Sequence, residues 1–250
     1  ALADGPVDER VVDDLLALLS RAAVLGPAAT APELAMSGSR HAASARKQRL
    51  VLAVTGAIQA VETPRLVGLL QSRDFEVRVA ATRAARRFVS VEALAALTHH
   101  AVATSLWGSP QHPAAHIELS EWADVVVVYP ASATTLSRLA RGDFSDIVAA
   151  VALATPAPVL VVPSMNENML RAPAVVRNLE CLREDGFVVA EPSSGIEVAD
   201  PPERRVLRAG AALSPERVLD LVALVAAQGG RGPVASESVA PEGVASEPVV

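Results

Sequence analysis

The sequence predicts an α/β protein built on a parallel sheet with helices on both faces. Three observations carry that prediction. Short apolar runs without polar alternation recur at 49–54, 123–129 and 159–162, the pattern of strands buried on both faces. Helix-forming stretches separate them, as crossovers between parallel strands require. Turns rich in Gly, Pro and hydroxyl residues follow the runs at once. The composition agrees, since 51 % of residues are apolar and only 3 % aromatic, so a packed core would be filled by Ala, Val and Leu.

Taken in chain order, residues 1–48 hold a helix candidate and a linker. Val11, Val12, Leu15, Leu18, Leu19 and Ala22 fall on one stripe, with Asp8, Asp13 and Asp14 near its start and Arg21 near its end. Such a helix suits a cap on the core or on a neighbouring subunit, or a dock for a partner. The first strand is expected at 49–54, with a turn at Thr55-Gly56 and a helix ending near Leu70. The second is expected at 75–80, followed by Thr82 and a helical stretch. A buried run at 123–129 is broken by Pro130, and helices are expected over 136–140 and 146–153. Strands at 159–162 and 187–190 and a helix over 215–227 complete the set. We expect a single Rossmann-like (flavodoxin-like) domain over 49–228, preceded by the helical extension and followed by a disordered tail over 229–250. That tail alternates Pro, Gly, Ser, Glu and Val without large apolar anchors.

Several classes of function are disfavoured. A net charge of −6 without a basic, aromatic-interleaved patch argues against nucleic acid as partner. The single cysteine, Cys181, rules out an internal disulfide or a multi-cysteine zinc site and suits a reduced, cytoplasmic compartment. It falls in an expected helix between Leu179 and Leu182, where a small buried hydrophobe is its ordinary role. No basic-then-apolar signal segment opens the chain. The apolar stretch 147–162 is interrupted by Pro156 and Pro158 and reads as helix then strand, so no membrane partner is expected.

In open parallel sheets ligands sit beyond the carboxyl ends of the strands, so the residues just after each strand are the place to look. The first strand ends in Thr55-Gly56-Ala57-Ile58, which lacks a complete nucleotide fingerprint and alone would be an ordinary tight turn. The second is followed by Thr82 and then Phe88, ordinarily a cap and a core residue. The third leads to Pro130-Ala131-Ser132-Ala133-Thr134-Thr135, and the fourth to Pro163-Ser164-Met165-Asn166-Glu167-Asn168-Met169. Together the four describe a site for a phosphorylated, planar, largely neutral ligand. His116, just before the third strand, is the acid–base candidate, because histidine ordinarily titrates near neutrality; on position alone a surface or capping role is the commoner one for a lone histidine. His99, His100 and His112 lie nearby without the spacing of a zinc site.

In this order the motifs around Gly56, His116, Ser132 and Asn166 resemble the homo-oligomeric flavin-containing cysteine decarboxylases. That family includes phosphopantothenoylcysteine decarboxylase of coenzyme A synthesis and the epidermin-type peptidyl-cysteine decarboxylases. The resemblance covers about 49–192. It implies FMN as cofactor, with Gly56, Ala57 and Ile58 in a phosphate loop, Thr82 as a phosphate-contacting hydroxyl, and Phe88 as a ring-packing aromatic. It likewise implies Ser132, Ala133 and Thr135 at the flavin, and Thr134, Asn166 and Met169 at the substrate. His116 corresponds to the active-site histidine. The assembly it implies is a trimer or dodecamer with flavin between subunits.

The implied activity is oxidative removal of a terminal cysteine carboxylate. Oxidising the CH₂–SH group to a thioaldehyde creates an electron sink into which carbon dioxide departs, leaving an enethiol. Two departures stand out. Thr134 replaces the family's Asn, and Leu170 its final Trp. The coenzyme A branch further implies a cysteine on a flexible loop after the Met-Asn motif, which protonates the enethiol on the way to a saturated thiol. The corresponding 191–208 stretch has none, although Arg204, Arg205 and Arg208 could hold a peptide. The favoured reading is therefore a Cys-terminated peptide processed toward an aminovinyl-cysteine ring. A coenzyme A pathway enzyme and a non-catalytic regulatory flavoprotein are the alternatives, and a flavin prenyltransferase is more distant.

Overall fold

The structure, a computed structural model, describes residues 46–108, 113–196 and 200–227. The helix expected over 11–22, its linker, His112 and the tail from 229 lie outside the described residues.

Five parallel strands form the central sheet: β1 (Gln48–Val54), β2 (Phe75–Ala81), β3 (Val125–Ala131), β4 (Val159–Pro163) and β5 (Val188–Val189), in the order β2-β1-β3-β4-β5. In β1, Leu50 pairs with Val77 of β2 on one side and Val125 of β3 on the other. Alternate residues of this strand feed two cores, which is why its run had to be apolar throughout. Leu50, Leu52 and Val54 join Leu66 and Leu70 of α1 (Thr63–Ser72) on one face; α2 (Val91–Thr98) contributes Leu94 to the same core. Val51 and Ala53 join Leu119 of α3 (Ala115–Trp122), Leu136 of α4 (Ala133–Leu139) and Val148 and Val151 of α5 (Ile147–Ala154) on the other. The short α6 (Glu167–Leu170) and α7 (Pro173–Glu184) follow β4. Val218 and Val222 of α8 (Pro215–Ala227) complete the first face, and this helix has the expected bounds.

Four elements differ from expectation. A 3-10 turn, Ile58–Glu62, precedes α1. The region around His116 forms α3, which was not expected. β3 runs through Pro130 instead of stopping before it, because the ladder to β4 shifts register between Val128 and Ala131 and spares the proline a hydrogen bond that it cannot donate. Residues 191–208, expected as a loop, contain β6 (Ser193–Ile196), which pairs antiparallel with β7 (Leu207–Ala211). Among the described residues no helix is long and apolar enough to cross a membrane.

Tyr129, the sequence's single tyrosine, is fully buried on the α1/α8 face, and its Oη has no hydrogen-bond partner among the described residues. Burial, and then the Glu62 and Glu216 carboxylates, push its pKa from 10.0 up to about 12. Above pH 10 the unfolded chain loses this proton while the folded one keeps it, so stability falls from pH 10 to 12, by about 2–3 kcal/mol. We expect Tyr129→Phe to flatten that alkaline limb in denaturant titrations at no cost near neutrality, because the hydroxyl it removes is unpartnered. Tyrosinate absorbance in the folded parent rising at the ordinary pKa would contradict this.

Candidate active site

The sheet order reverses direction between β1 and β3, and such a switch point leaves a crevice at the carboxyl ends of those two strands. The crevice is stitched by one buried hydroxyl. Thr55 Oγ1 donates to Pro130 O at 2.5 Å and accepts from Ser132 N at 2.9 Å, fixing the turn after β1 to the turn after β3. A second tie joins Ser164 Oγ, after β4, to the Gln59 side chain.

Gly56 explains itself sterically. A Cβ there would collide with the Cβ of Ala84, in the loop after β2, so only glycine lets the two loops approach. Gly56→Ala should cost about 1–3 kcal/mol and loosen binding of the flavin that the resemblance implies, and Ala84→Gly should restore part of both. Thermal melts and flavin titrations of the two single variants and the double variant check this. Equal losses in the single and the double variant would show that the contact is unimportant.

Around the crevice lies an open cavity of about 1160 Å³. Ten of the twelve residues singled out from sequence line it: Gly56, Ala57, Ile58, Thr82, Ser132, Ala133, Thr134, Thr135, Asn166 and Met169. Thr82 Oγ1 accepts from Ala85 N at 3.2 Å, which leaves its own O–H to donate outward. Ser132 Oγ caps α4 by accepting from Thr135 N and shares a hydrogen bond with Thr135 Oγ1 at 3.1 Å. Asn166 caps α6 by accepting from Asn168 N at 2.8 Å. Thr134 and Met169 are exposed in the cavity wall.

Two of the twelve lie elsewhere. Phe88 is half-buried against the α1/α8 core and lines a separate shallow recess. His116 sits in the first turn of α3 with Nδ1 3.2 Å from Leu106 O and the Trp107 ring edge-on at 6.4 Å; it is not among the residues lining the cavity. Leu170, at the position where the resemblance implies Trp, packs half-buried against the opposite core.

Apart from Arg208, the sequence reading missed the arginines. Arg83, Arg86, Arg87, Arg138 and Arg208 all line the cavity, against Asp146 as the carboxylate among the lining residues. Arg83, Arg86 and Arg87 fall in the segment from Thr82 to Phe88 after β2 that was already under scrutiny, so the strand-end rule could have found them. The β6–β7 hairpin closes one side with Gly195, Ile196, Arg208, Ala209 and Ala211. It is anchored by Met165 N donating to Gly210 O at 2.9 Å. Gly210 has φ +112 and no room for a Cβ against Met165 O. Of the hairpin arginines, Arg204 and Arg205 do not reach the cavity lining. Among the described residues no group of three or more His, Cys, Asp and Glu could hold a metal ion.

Hydroxyls with free O–H groups, turn amides and arginines suit a phosphate monoester, and the Ala, Ile and Met surfaces beside them suit a flat ring. Fold and cavity thus define a doubly wound protein with a site for a phosphorylated, planar ligand. A family model described as Flavoprotein matches residues 38–224, and the chain belongs to that family. Its cofactor is FMN. The bifunctional coenzyme A biosynthesis protein CoaBC of Escherichia coli K12 is 40 % identical over 179 residues, covering 71 % of this chain and 41 % of that protein. The chain thus spans about two fifths of the length of this curated relative. Among solved structures, the FMN-dependent cysteine decarboxylase SpaF is 31 % identical with a TM-score of 0.61, covering 73 % of this chain and 97 % of that one. A cysteine-to-serine mutant of PPC decarboxylase, complexed with pantothenoylaminoethenethiol, is 28 % identical with a TM-score of 0.62, covering 72 % and 98 %.

Proposed function

We propose that the protein oxidatively decarboxylates a C-terminal cysteine of a peptide and releases the enethiol, the form needed to close an aminovinyl-cysteine ring. The observation that carries this reading is the position of the sequence's single thiol. Cys181 lies in α7, outside the cavity lining, with Sγ 3.5 Å from Ala140 O, so the cavity has no cysteine with which to complete a reduction.

FMN, when bound, supplies the two-electron acceptor for the cysteine CH₂–SH group. The chain's own residues bind and orient. Gly56 and Ile58 offer turn amides to the phosphate, Ala57, whose own N–H is held by Thr55 O at 3.0 Å, lines the loop between them, and Thr82 adds a hydroxyl. Ser132, Ala133 and Thr135 border the ring. Thr134, Asn166 and Met169 face the substrate, with the β6–β7 hairpin excluding water. Phe88 supports the β2 loop from beneath. His116 handles the proton. Because it lies outside its own protomer's cavity, it acts on the cavity of a neighbouring copy in a homo-oligomer, a trimer or dodecamer, whose catalytic unit is the domain over 49–228.

A second reading, phosphopantothenoylcysteine decarboxylation, is favoured by the 40 % identity to CoaBC. To test both, FMN-reconstituted protein is incubated with Cys-terminated peptides and, separately, with phosphopantothenoylcysteine. Carbon dioxide release from peptides supports the first reading, and release from phosphopantothenoylcysteine alone supports the second. Protein that takes up no FMN after careful reconstitution would sink both.

A further inference from the structure

The cavity's positive charge is unevenly satisfied. Arg138 contacts Asp146 and lies 3.7 Å from Asp143, and Arg208 lies 3.3 Å from Asp200. Arg83, Arg86 and Arg87, on the loop after β2, are exposed, and among the described residues no carboxylate lies within ion-pair distance of them. Glu92, whose carboxyl is held below its usual range first by the Ser90 hydroxyl and only lastly by the charge of Arg86, is already engaged by Ser90 Oγ at 2.7 Å. One five-residue loop on an acidic chain thus brings three unspent positive charges to the rim of the site.

The cofactor does not use them up. A phosphate monoester carries about −1.5 to −2 near neutrality, and the turn amides and Thr82 already provide for part of it. Nor is the reacting carboxylate a sensible partner. It leaves as neutral carbon dioxide, so an arginine clamped on it would stabilise the ground state more than the transition state and slow the step. The remaining charge belongs with an anion that survives the reaction. Binding energy from such a remote group can hold the reacting end in place without opposing the chemistry.

Resting on the cysteine-decarboxylase reading above, we propose that Arg83, Arg86 and Arg87 form an anion subsite that selects substrates bearing a second, non-reacting negative group. An acidic side chain just before the terminal cysteine of a peptide and the phosphate of phosphopantothenoylcysteine share that chemistry.

The test uses FMN-loaded protein and calorimetry, so it does not depend on turnover. One ligand pair is a Cys-terminated peptide with Glu before the cysteine and its Gln counterpart. The other is phosphopantothenoylcysteine and its dephosphorylated form. The anionic member of at least one pair should bind roughly 3–10-fold more tightly, as two exposed charge contacts allow. The preference should shrink with added salt and vanish in Arg83→Gln/Arg87→Gln. The pair that responds identifies the source of the anion. No preference in either pair overturns the proposal, as does one that persists in the double variant. Loss of FMN from that variant, read from the flavin spectrum, would also overturn it by assigning the arginines to the cofactor phosphate. Whether the parent takes up FMN is read from the same spectrum, which separates failure of this proposal from failure of the flavin reading.

Discussion

His116→Asn will keep its bound flavin and lose decarboxylation by roughly 10²–10⁴-fold, the loss expected when a proton-transfer group is removed. The geometry indicates which nitrogen matters. Leu106 O can only accept, so its 3.2 Å contact with the ring requires the hydrogen on Nδ1 and turns Nε2 outward as the working atom. Asn is close in size to the imidazole and can donate a hydrogen bond to the same carbonyl, so the fold should survive. Flavin absorbance, single-turnover carbon dioxide release and thermal melting check the three parts. Because His116 lies outside its own cavity, mixing His116→Asn with a flavin-deficient Gly56→Val variant should restore part of the activity in mixed oligomers. Turnover of His116→Asn within a few-fold of the parent would reduce the residue to a structural cap.

The second large effect concerns the product. The reaction will stop at the unsaturated thiol, with loss of carbon dioxide and two hydrogens and with the flavin left reduced until oxygen reoxidises it. Saturating the enethiol needs a proton donor beside the nascent carbanion. Cys181 is away from the cavity, and its thiol is pushed above its ordinary pKa, first by burial and then by the neighbouring Asp185 carboxylate, so it is also a poorer acid. Cys181→Ser should therefore leave the product unchanged. The complex of a cysteine-to-serine PPC decarboxylase with pantothenoylaminoethenethiol shows an enethiol in a related protein that lacks a cysteine. Mass spectrometry distinguishes the products directly. Clean formation of the saturated thiol from phosphopantothenoylcysteine, with no action on peptides, would overturn this prediction.

Much of the fold was legible because burial on both faces leaves no room for polar alternation: 49–54 and 159–162 could be little else than central strands. The strand-end rule then pointed to candidate residues of which ten of twelve line one cavity. The points that differ from expectation have separate physical causes. β6 (Ser-Ser-Gly-Ile) and β7 (Leu-Arg-Ala-Gly-Ala) are short and built mostly of small residues, and their few bulky ones, Ile196 and Leu207, are exposed, so no buried period marks them. Pro130 is a sound breaker in an unshifted ladder, but the register shift after Val128 removes the conflict. Phe88 and His116 were assigned by motif, and a motif does not say which side of a loop a ring leaves from, or whose cavity it serves. The arginines after β2 were passed over because charge was assessed for the whole chain, whose −6 conceals a local excess of the opposite sign.

The tie between Met165 and Gly210 matters for anyone who rebuilds this protein. Its hydrogen bond joins the hairpin to the turn that carries Asn166, and the positive φ and absent Cβ leave no other residue at position 210 that keeps the joint closed. A hairpin exchanged from another scaffold to retune selectivity would thus have to bring a glycine in register with Met165, or it would arrive unfastened. The amide of Met165 also makes a natural gauge of the joint: its hydrogen-exchange rate would report, from inside the site, how often the hairpin lifts.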